Sequence, residues 1–353
     1  MSSRPLPELP HEAVHLFHDD ETGLRAVIAI HSTALGPAIG GCRVQRYASE
    51  TAATQDALRL SEAMTWKNAL AGLPFGGGKA VILWPEHGVA DRARLFEAFG
   101  RCVHSLGGRF VTAEDAGSGV ADMQAAARST SHVAGLPRRA DGVGGDPSPW
   151  TARGVFAAMQ AAVAERDDRA LAGMTVGVQG LGHVGMALAA LLHRTGARLL
   201  VADVDNGRVA EAVRRFDAEP VAADAIVTAP MDILAPCALG GAINPATVHK
   251  LQARLVCGAA NNQLEHPGLA AELARRGILY APDYLVNAGG IIAVCAEYGD
   301  GDLASVERAV EAIGPRLAAL IRDAEAKGET PARLADHLAR TRVADGWSRR
   351  RAA

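Results

Sequence analysis

The chain has 353 residues, 49% of them apolar and 21% charged, with a net charge of −3. At roughly 100–200 residues per domain this predicts two globular domains and excludes global disorder. No basic excess draws nucleic acid or an anionic membrane, and no apolar run is long enough to cross a bilayer. The stretch Met1 to Glu12 lacks the apolar core of a secretory signal, so a cytoplasmic location is expected. Five scattered cysteines (Cys42, Cys102, Cys237, Cys257 and Cys295) show neither disulfide nor zinc spacing; reduced, buried thiols and no metal are expected. Only 15 residues are aromatic while 38 are glycine, so small aliphatic side chains must fill the cores.

In chain order, Leu24–Ile30 reads as a buried strand. Ser49–Lys67 reads as a helix that Ser49 caps, followed by a glycine loop and a short strand, Lys79–Leu83. A helix over Asp91–Leu106 and a strand over Arg109–Ala113 come next. The glycine- and proline-rich stretch Leu136–Pro149 reads as a domain boundary, with a long helix, Thr151–Arg166, leaving it. Regular alternation follows: strand Thr175–Gln179, helix His183–Thr195, strand Arg198–Asp203, helix Gly207–Phe216, then short strands at Asp232–Ala235 and Leu255–Cys257. That order predicts a parallel sheet of βαβ units. Two helices, Leu303–Lys327 and Pro331–Asp345, end the pattern, and Arg349–Arg351 reads as a solvated tail.

Gly180-Leu-Gly182-His-Val-Gly185 directly follows the strand Thr175–Gln179 and opens a helix, and Asp203 lies 18 positions after Gly185, at the end of the next strand. This is the context a dinucleotide fingerprint requires. Gly180 permits the turn, Gly182 lets backbone approach a pyrophosphate, and Gly185 lets helix and strand pack closely. The helix N-terminus offers N–H groups to phosphate. Asp203 accepts from ribose hydroxyls and repels an added phosphate, which selects NAD.

Lysine is scarce: Lys67, Lys79, Lys250 and Lys327 are the only ones. Two of the four flank Gly76-Gly-Gly78. The segment is not a phosphate loop, because Leu73 and Ala80 stand where that loop needs Gly and Ser/Thr. Surface lysines are the ordinary alternative. Burial or a neighbouring cation brings a lysine, but not an arginine, into proton-transfer range. Asp115, in Thr112-Ala-Glu-Asp115, sits at a strand end facing a cleft or caps a helix. Paired amides in Gly258-Ala-Ala-Asn261-Asn-Gln263 bind a polar ligand or make a turn. Asn287, in Asp283-Tyr-Leu-Val-Asn287-Ala-Gly-Gly290, caps a helix or covers a nicotinamide.

Together with Leu35-Gly-Pro-Ala-Ile-Gly-Gly41, Met64-Thr-Trp-Lys67-Asn68 and Ala235-Pro-Cys-Ala-Leu-Gly240, these segments resemble the glutamate/leucine/phenylalanine/valine dehydrogenase family, most closely its leucine branch. The motifs run over nearly the whole chain in the family's order. The resemblance implies an α/β protein of two domains separated by a cleft. One is an N-terminal α/β substrate domain, 1–140, to which C-terminal helices, 325–353, return; the other is a Rossmann domain, 145–325. It implies reversible NAD-dependent oxidative deamination of an L-amino acid to a 2-oxo acid and ammonia, by a homo-oligomer. By position, Lys67 would bind the substrate carboxylate, Lys79 would activate water, its pKa lowered into a usable range by a buried cationic neighbour such as Lys67, and Asp115 would shuttle protons at the substrate nitrogen. Cofactor contacts would come from Thr151, Gly180, Leu181, Gly182, His183, Val184, Gly185, Asp203, Asn261 and Asn287. Substrate contacts would come from Ile39, Gly40, Gly41, Met64, Ala113, Asn261, Ile291 and Val294.

Glutamate-specific relatives place a lysine where this chain has Ile39, so a buried distal carboxylate would be left unpaired here. An aliphatic substrate (leucine, valine or isoleucine) is expected. Phenylalanine or another aromatic amino acid is the alternative, and a non-catalytic NAD-binding sensor a more distant one. His183, Gly185, Ala293 and Trp150 depart from residues common in the leucine branch and bear on substrate preference.

Overall fold

Runs of branched apolar residues build the first strands. The computed structural model describes residues 10–238 and 240–352, without the side chains of residues 351 and 352. Expectations for the first nine residues, for Leu239 within the Ala235–Gly240 motif and for the Arg351 side chain lie outside the described residues. The chain divides into two compact units. The first takes the chain up to Asp146, Ile291–Val306 and the segment from His337 on; the second takes Pro147–Gly290 and Glu307–Asp336. The break at Asp146 falls inside the glycine- and proline-rich stretch. The return to the first unit differs from the expected 325–353: it begins at His337, and Ile291–Val306 also joins that unit.

The first unit holds β1 (Ala13–Asp19), β2 (Leu24–Ser32), β3 (Ala38–Gln45), α1 (Glu50–Ala71), β4 (Gly76–Leu83), α2 (Arg92–Ser105), β5 (Phe110–Glu114) and α3 (Val120–Ala127). Its sheet runs β1-β2-β4-β3-β5, with the β1–β2 and β2–β4 pairs antiparallel and β3 parallel to both neighbours. One face, with Val27, Ala29 and Val81, packs on Ala53 and Ala57 of α1. The other, with Ile28, Ile30 and Ile82, packs on Phe96 and Phe99 of α2 and Met123 of α3. Alternation along each strand makes this division. Ser49 caps α1 by accepting from Ala52 N at 3.1 Å, and Gly72 ends it with φ +78°.

Gly76–Gly78 is not a loop but the start of β4. A Cβ on Gly77 would lie 2.1 Å from Thr65 N, so the glycine brings helix and sheet together. β1, β3 and α3 were not anticipated, because Gly40–Gly41 and the short polar runs hide their periodicity.

The second unit holds α4 (Ser148–Asp167), β6 (Thr175–Gln179), α5 (His183–Arg194), β7 (Arg198–Ala202), α6 (Asn206–Phe216), β8 (Glu219–Pro220), β9 (Ile233–Pro236), β10 (Leu255–Val256), α7 (Leu269–Arg275), β11 (Leu279–Tyr280) and α8 (Asp283–Val286). Its sheet is wholly parallel in the order β8-β7-β6-β9-β10-β11. That is the Rossmann order, with the switch point between β6 and β9. Four helices complete the chain: α9 (Gly289–Tyr298), α10 (Leu303–Glu311), α11 (Ile313–Lys327) and α12 (Pro331–Ala352). The single helix expected over Leu303–Lys327 is divided near Pro315, which has no N–H to offer Glu311. The expected solvated tail is exposed at Arg349 and Arg350 but helical: α12 runs through Gly346, whose missing side chain lets it approach Ala34, and Arg350 Nη1 donates to Thr33 Oγ1 at 2.9 Å. No described helix is long and apolar enough to cross a membrane.

Candidate functional site

Lys79 sits mid-strand on β4, opposite Ala29 of β2, and only 5% of it is exposed. A buried ammonium needs a partner. It finds one in Asp115, just past the end of β5: Lys79 Nζ lies 2.9 Å from Asp115 Oδ2. The approach is possible because Gly41 has no side chain; a Cβ there would come within 2.7 Å of Asp115 Cβ. A tight turn then fixes the aspartate. Ser118 Oγ accepts from Asp115 N at 3.0 Å and donates to Cys42 O at 2.7 Å. Gly117, at φ +84°, closes that turn where any side chain would strike Val44 O.

Asp115 has a second cation. Arg43 Nε donates to the same Oδ2 at 3.0 Å, and Arg43 Nη1 reaches Asp56 Oδ2 at 3.2 Å. Burial alone would raise the Asp115 carboxyl; the Lys79 and Arg43 charges outweigh it and hold it below the ordinary carboxylate range. The capping alternative for Asp115 is overturned, since Gly119 occupies the N-cap of α3. Arg43, Asp56 and Tyr47 were absent from the sequence reading. The available signal was that Arg43 stands two residues after Gly41 on one strand, and so on the same face.

Lys67 and Met64 lie half-buried on α1. Ile39, Ala113 and Val294 are buried in one apolar cluster with Phe75 and Val111, and Ile291 packs against it. Thus four of the apolar residues expected to line a substrate pocket are brought together within the first unit, while Met64 stands outside that cluster. Gly40 lies where a Cβ would meet Gly78 O at 1.8 Å, so β3 and β4 pair there only around glycine.

The second unit carries the nucleotide fingerprint. Gly180 has φ +94°, and a Cβ there would come within 2.7 Å of Ala238 N. On Gly185 a Cβ would lie 1.9 Å from Gly180 O, so turn and helix close only around glycine. Gly182 is different: a Cβ built on it meets nothing within 4 Å. That open cradle lies at the N-cap of α5, where no side chain caps the helix, as a bound phosphate requires. Leu181 is turned inward, 2% exposed, and its N–H donates to Asp203 Oδ2 at 2.6 Å. His183 is exposed and Val184 half-buried. Asp203 also accepts from Asp205 N through Oδ1 at 2.9 Å, leaving each oxygen further lone pairs. Burial alone would raise its carboxyl, yet the backbone N–H groups and Arg208 hold it below the ordinary value. These residues fit a dinucleotide.

Asn287 Nδ2 donates to Asn261 Oδ1 at 2.9 Å and to Ala259 O at 3.0 Å. Asn287 is 5% exposed, and its Oδ1 is buried with no hydrogen-bond partner among the described residues. It does sit at a helix end, the C-cap of α8. Gln263 takes the turn-making role, its Nε2 bonding Gly258 O at 2.7 Å and Ala260 O at 3.1 Å. Thr151 stands in the first turn of α4, Oγ1 3.4 Å from Pro147 O. All five cysteines are free, and no group of metal-ligating side chains occurs among the described residues.

The "Glu/Leu/Phe/Val dehydrogenase, dimerisation domain" family model matches residues 11–132, and "Glutamate/Leucine/Phenylalanine/Valine dehydrogenase" matches 144–213 and 200–305. A valine dehydrogenase of Streptomyces albus is 46% identical over 96% of this chain and 94% of its own. A leucine dehydrogenase of Thermoactinomyces intermedius is 43% identical over 94% of this chain and 91% of its own. The crystal structure of L-tryptophan dehydrogenase from Nostoc punctiforme superposes with a TM-score of 0.82, at 41% identity, covering 96% of this chain and 97% of that one. With both halves matched in order and the Lys79–Asp115 pair and the nucleotide fingerprint each formed within its own unit, the chain belongs to the glutamate/leucine/phenylalanine/valine dehydrogenase family of NAD(P)-dependent amino acid dehydrogenases.

Proposed function

We propose that this protein is an NAD-dependent dehydrogenase of aliphatic L-amino acids, converting leucine, valine or isoleucine with water to the 2-oxo acid and ammonium, reversibly. The observation that carries the reading is the buried Lys79–Asp115 pair at 2.9 Å. NAD, when bound, supplies the hydride acceptor. The other steps fall to side chains of the chain. Lys67 holds the substrate carboxylate. Asp115, through the oxygen not engaged by Lys79, accepts the proton that the substrate ammonium must lose before the Cα–H bond breaks. Lys79, in its neutral form after releasing a proton to solvent, accepts a proton from the water that adds to the imine carbon. Asp115 returns its proton to nitrogen, and as the C–N bond breaks the hydroxyl proton passes to the departing ammonia, which leaves as ammonium.

Asp203 supports NAD over NADP, because a carboxylate 7% exposed and held in its charged form repels a ribose phosphate. Gly182 and the uncapped α5 hold the pyrophosphate, with Gly180, Val184 and His183 around it, and Thr151, Asn261 and Asn287 serve the nicotinamide half. The apolar cluster of Ile39, Ala113, Ile291 and Val294 supports an aliphatic side chain and leaves a distal carboxylate unpaired. Likeness to the tryptophan dehydrogenase supports an aromatic substrate as a second reading. We further propose a homo-oligomer, since the family model over residues 11–132 is described as a dimerisation domain.

Initial rates of NADH formation with valine, leucine, isoleucine, phenylalanine, tryptophan and glutamate test this, with NAD and NADP compared. We expect the highest kcat/KM with a branched aliphatic substrate and NAD, and none measurable with glutamate. Turnover confined to the aromatic pair favours the second reading. NAD binding with no turnover on any amino acid sinks both, and points to a sensor.

A further inference from the structure

Asp115 is held by more than the chemistry above uses. Its Oδ2 meets two cations, Lys79 Nζ in an ion pair at 2.9 Å and Arg43 Nε in a hydrogen bond at 3.0 Å. Among the described residues its Oδ1 takes none. Arg43 is itself anchored: Nη1 lies 3.2 Å from Asp56 Oδ2, and that same oxygen accepts from Tyr47 OH at 2.8 Å, while Arg59 Nη2 holds Asp56 Oδ1 at 2.8 Å. The chain of contacts Tyr47–Asp56–Arg43–Asp115–Lys79 thus runs from α1 and the end of β3 to the reacting pair, wholly within the first unit.

We propose that Arg43 is a positioning residue of the deamination reaction, pinning Asp115 by Oδ2 so that Oδ1 is the oxygen presented to the substrate nitrogen. The inference rests on the dehydrogenase reading above. Three physical features support it. A guanidinium is planar, so with Nη1 fixed on Asp56 the direction of Nε is fixed too. Its charge is permanent, so it stays as a counter-charge while protons move on and off Lys79 and Asp115; a lysine in its place would be a third, competing proton carrier. A carboxylate held by two cations on one oxygen cannot exchange its two oxygens without losing both contacts. The charged and titratable groups around Asp115 are Lys79 from β4 and Arg43 and the buried Cys42 thiol from β3. Behind Arg43 stand Asp56 from α1 and Tyr47. Lys67 lies about three turns along α1 from Asp56, on the same helix face.

Two variants and two readouts test the role. In Arg43→Gln the permanent charge is lost. We expect kcat to fall at least about tenfold with KM little changed, and the acidic limb of the kcat/KM profile to move to higher pH. The same shift should appear without substrate, in a 13C-NMR titration of the Asp115 carboxyl. Arg43→Lys keeps the charge but loses the fork: its acidic limb should stay near that of the wild type while kcat falls, and it carries the test if Arg43→Gln does not fold. A kcat within about twofold of wild type in Arg43→Gln, with an unmoved limb, overturns the proposal. So does a lower melting temperature in both variants without any change in the Asp115 titration, which marks a purely structural residue. Wild-type protein that turns over no amino acid overturns the dehydrogenase reading, and the positioning role of Arg43 with it. Normal wild-type turnover with an unmoved Asp115 titration overturns the Arg43 proposal alone.

Discussion

Lys79 and Asp115 are ordinary residue types made unusual by where they sit. An ammonium 5% exposed and a carboxylate sharing one oxygen between two cations each depend on the other. Replacing Lys79 by Ala should lower kcat by about 10²–10⁴-fold while NAD binding, measured by fluorescence titration, stays near the wild-type value, because the nucleotide fingerprint belongs to the other unit. The pair also links stability to pH. The folded-state Asp115 carboxyl lies below its ordinary value of 3.8, so its contribution is present above that value and is lost as pH falls through the lower, folded one. Asp115→Asn should therefore melt earlier than wild type at neutral pH, where Lys79 and Arg43 lose their counter-charge. The gap should narrow below about pH 4; melts that stay parallel across that range would show the pair to be energetically silent.

At the scale of elements, glycine placement separates fold from binding. Gly182→Ala adds a Cβ into open space and should leave the melting temperature nearly unchanged. With the pyrophosphate placed as proposed, the added methyl should weaken NAD binding by about tenfold or more. Gly185→Ala puts a Cβ 1.9 Å from Gly180 O. It should destabilise the protein by about 1–3 kcal/mol, as overpacking does, whether or not NAD is present. Equal effects of the two substitutions on stability would argue against the division. The N-cap of α1 is a milder case: Ser49→Ala removes one hydrogen bond at 3.1 Å and should cost about 1 kcal/mol in denaturant unfolding. The catalytic geometry, which depends on β3, β4 and β5, should be unaffected.

Over the whole molecule the chain passes between its two units four times, so neither is a simple stretch of sequence. The last passage matters for stability, because Ala339 and Val343 of α12 are fully buried against Trp66 and Ala69 of α1. Val343→Asp places an unpaired charge in that cluster and should cost more than about 3 kcal/mol, seen as a fall in melting temperature by calorimetry. Local pattern alone already revealed a good part of this protein. The strand Thr175–Gln179, the glycines after it and Asp203 were legible because a nucleotide fingerprint is contiguous and its spacing is its mechanism. Lys79 and Asp115 stood out through residue type and motif. The role of Gly76–Gly78 did not, because a glycine run reads as a loop until the Thr65 backbone is seen to fill the space beside Gly77. Arg43 was hidden for a related reason: in a chain where arginine is the common cation, one that meets Asp115 across 72 positions looks like any other. Contiguous chemistry is written in the sequence; contacts between strands and helices distant along the chain, which decide what is buried, paired and free to accept a proton, arise only when the sheet is assembled.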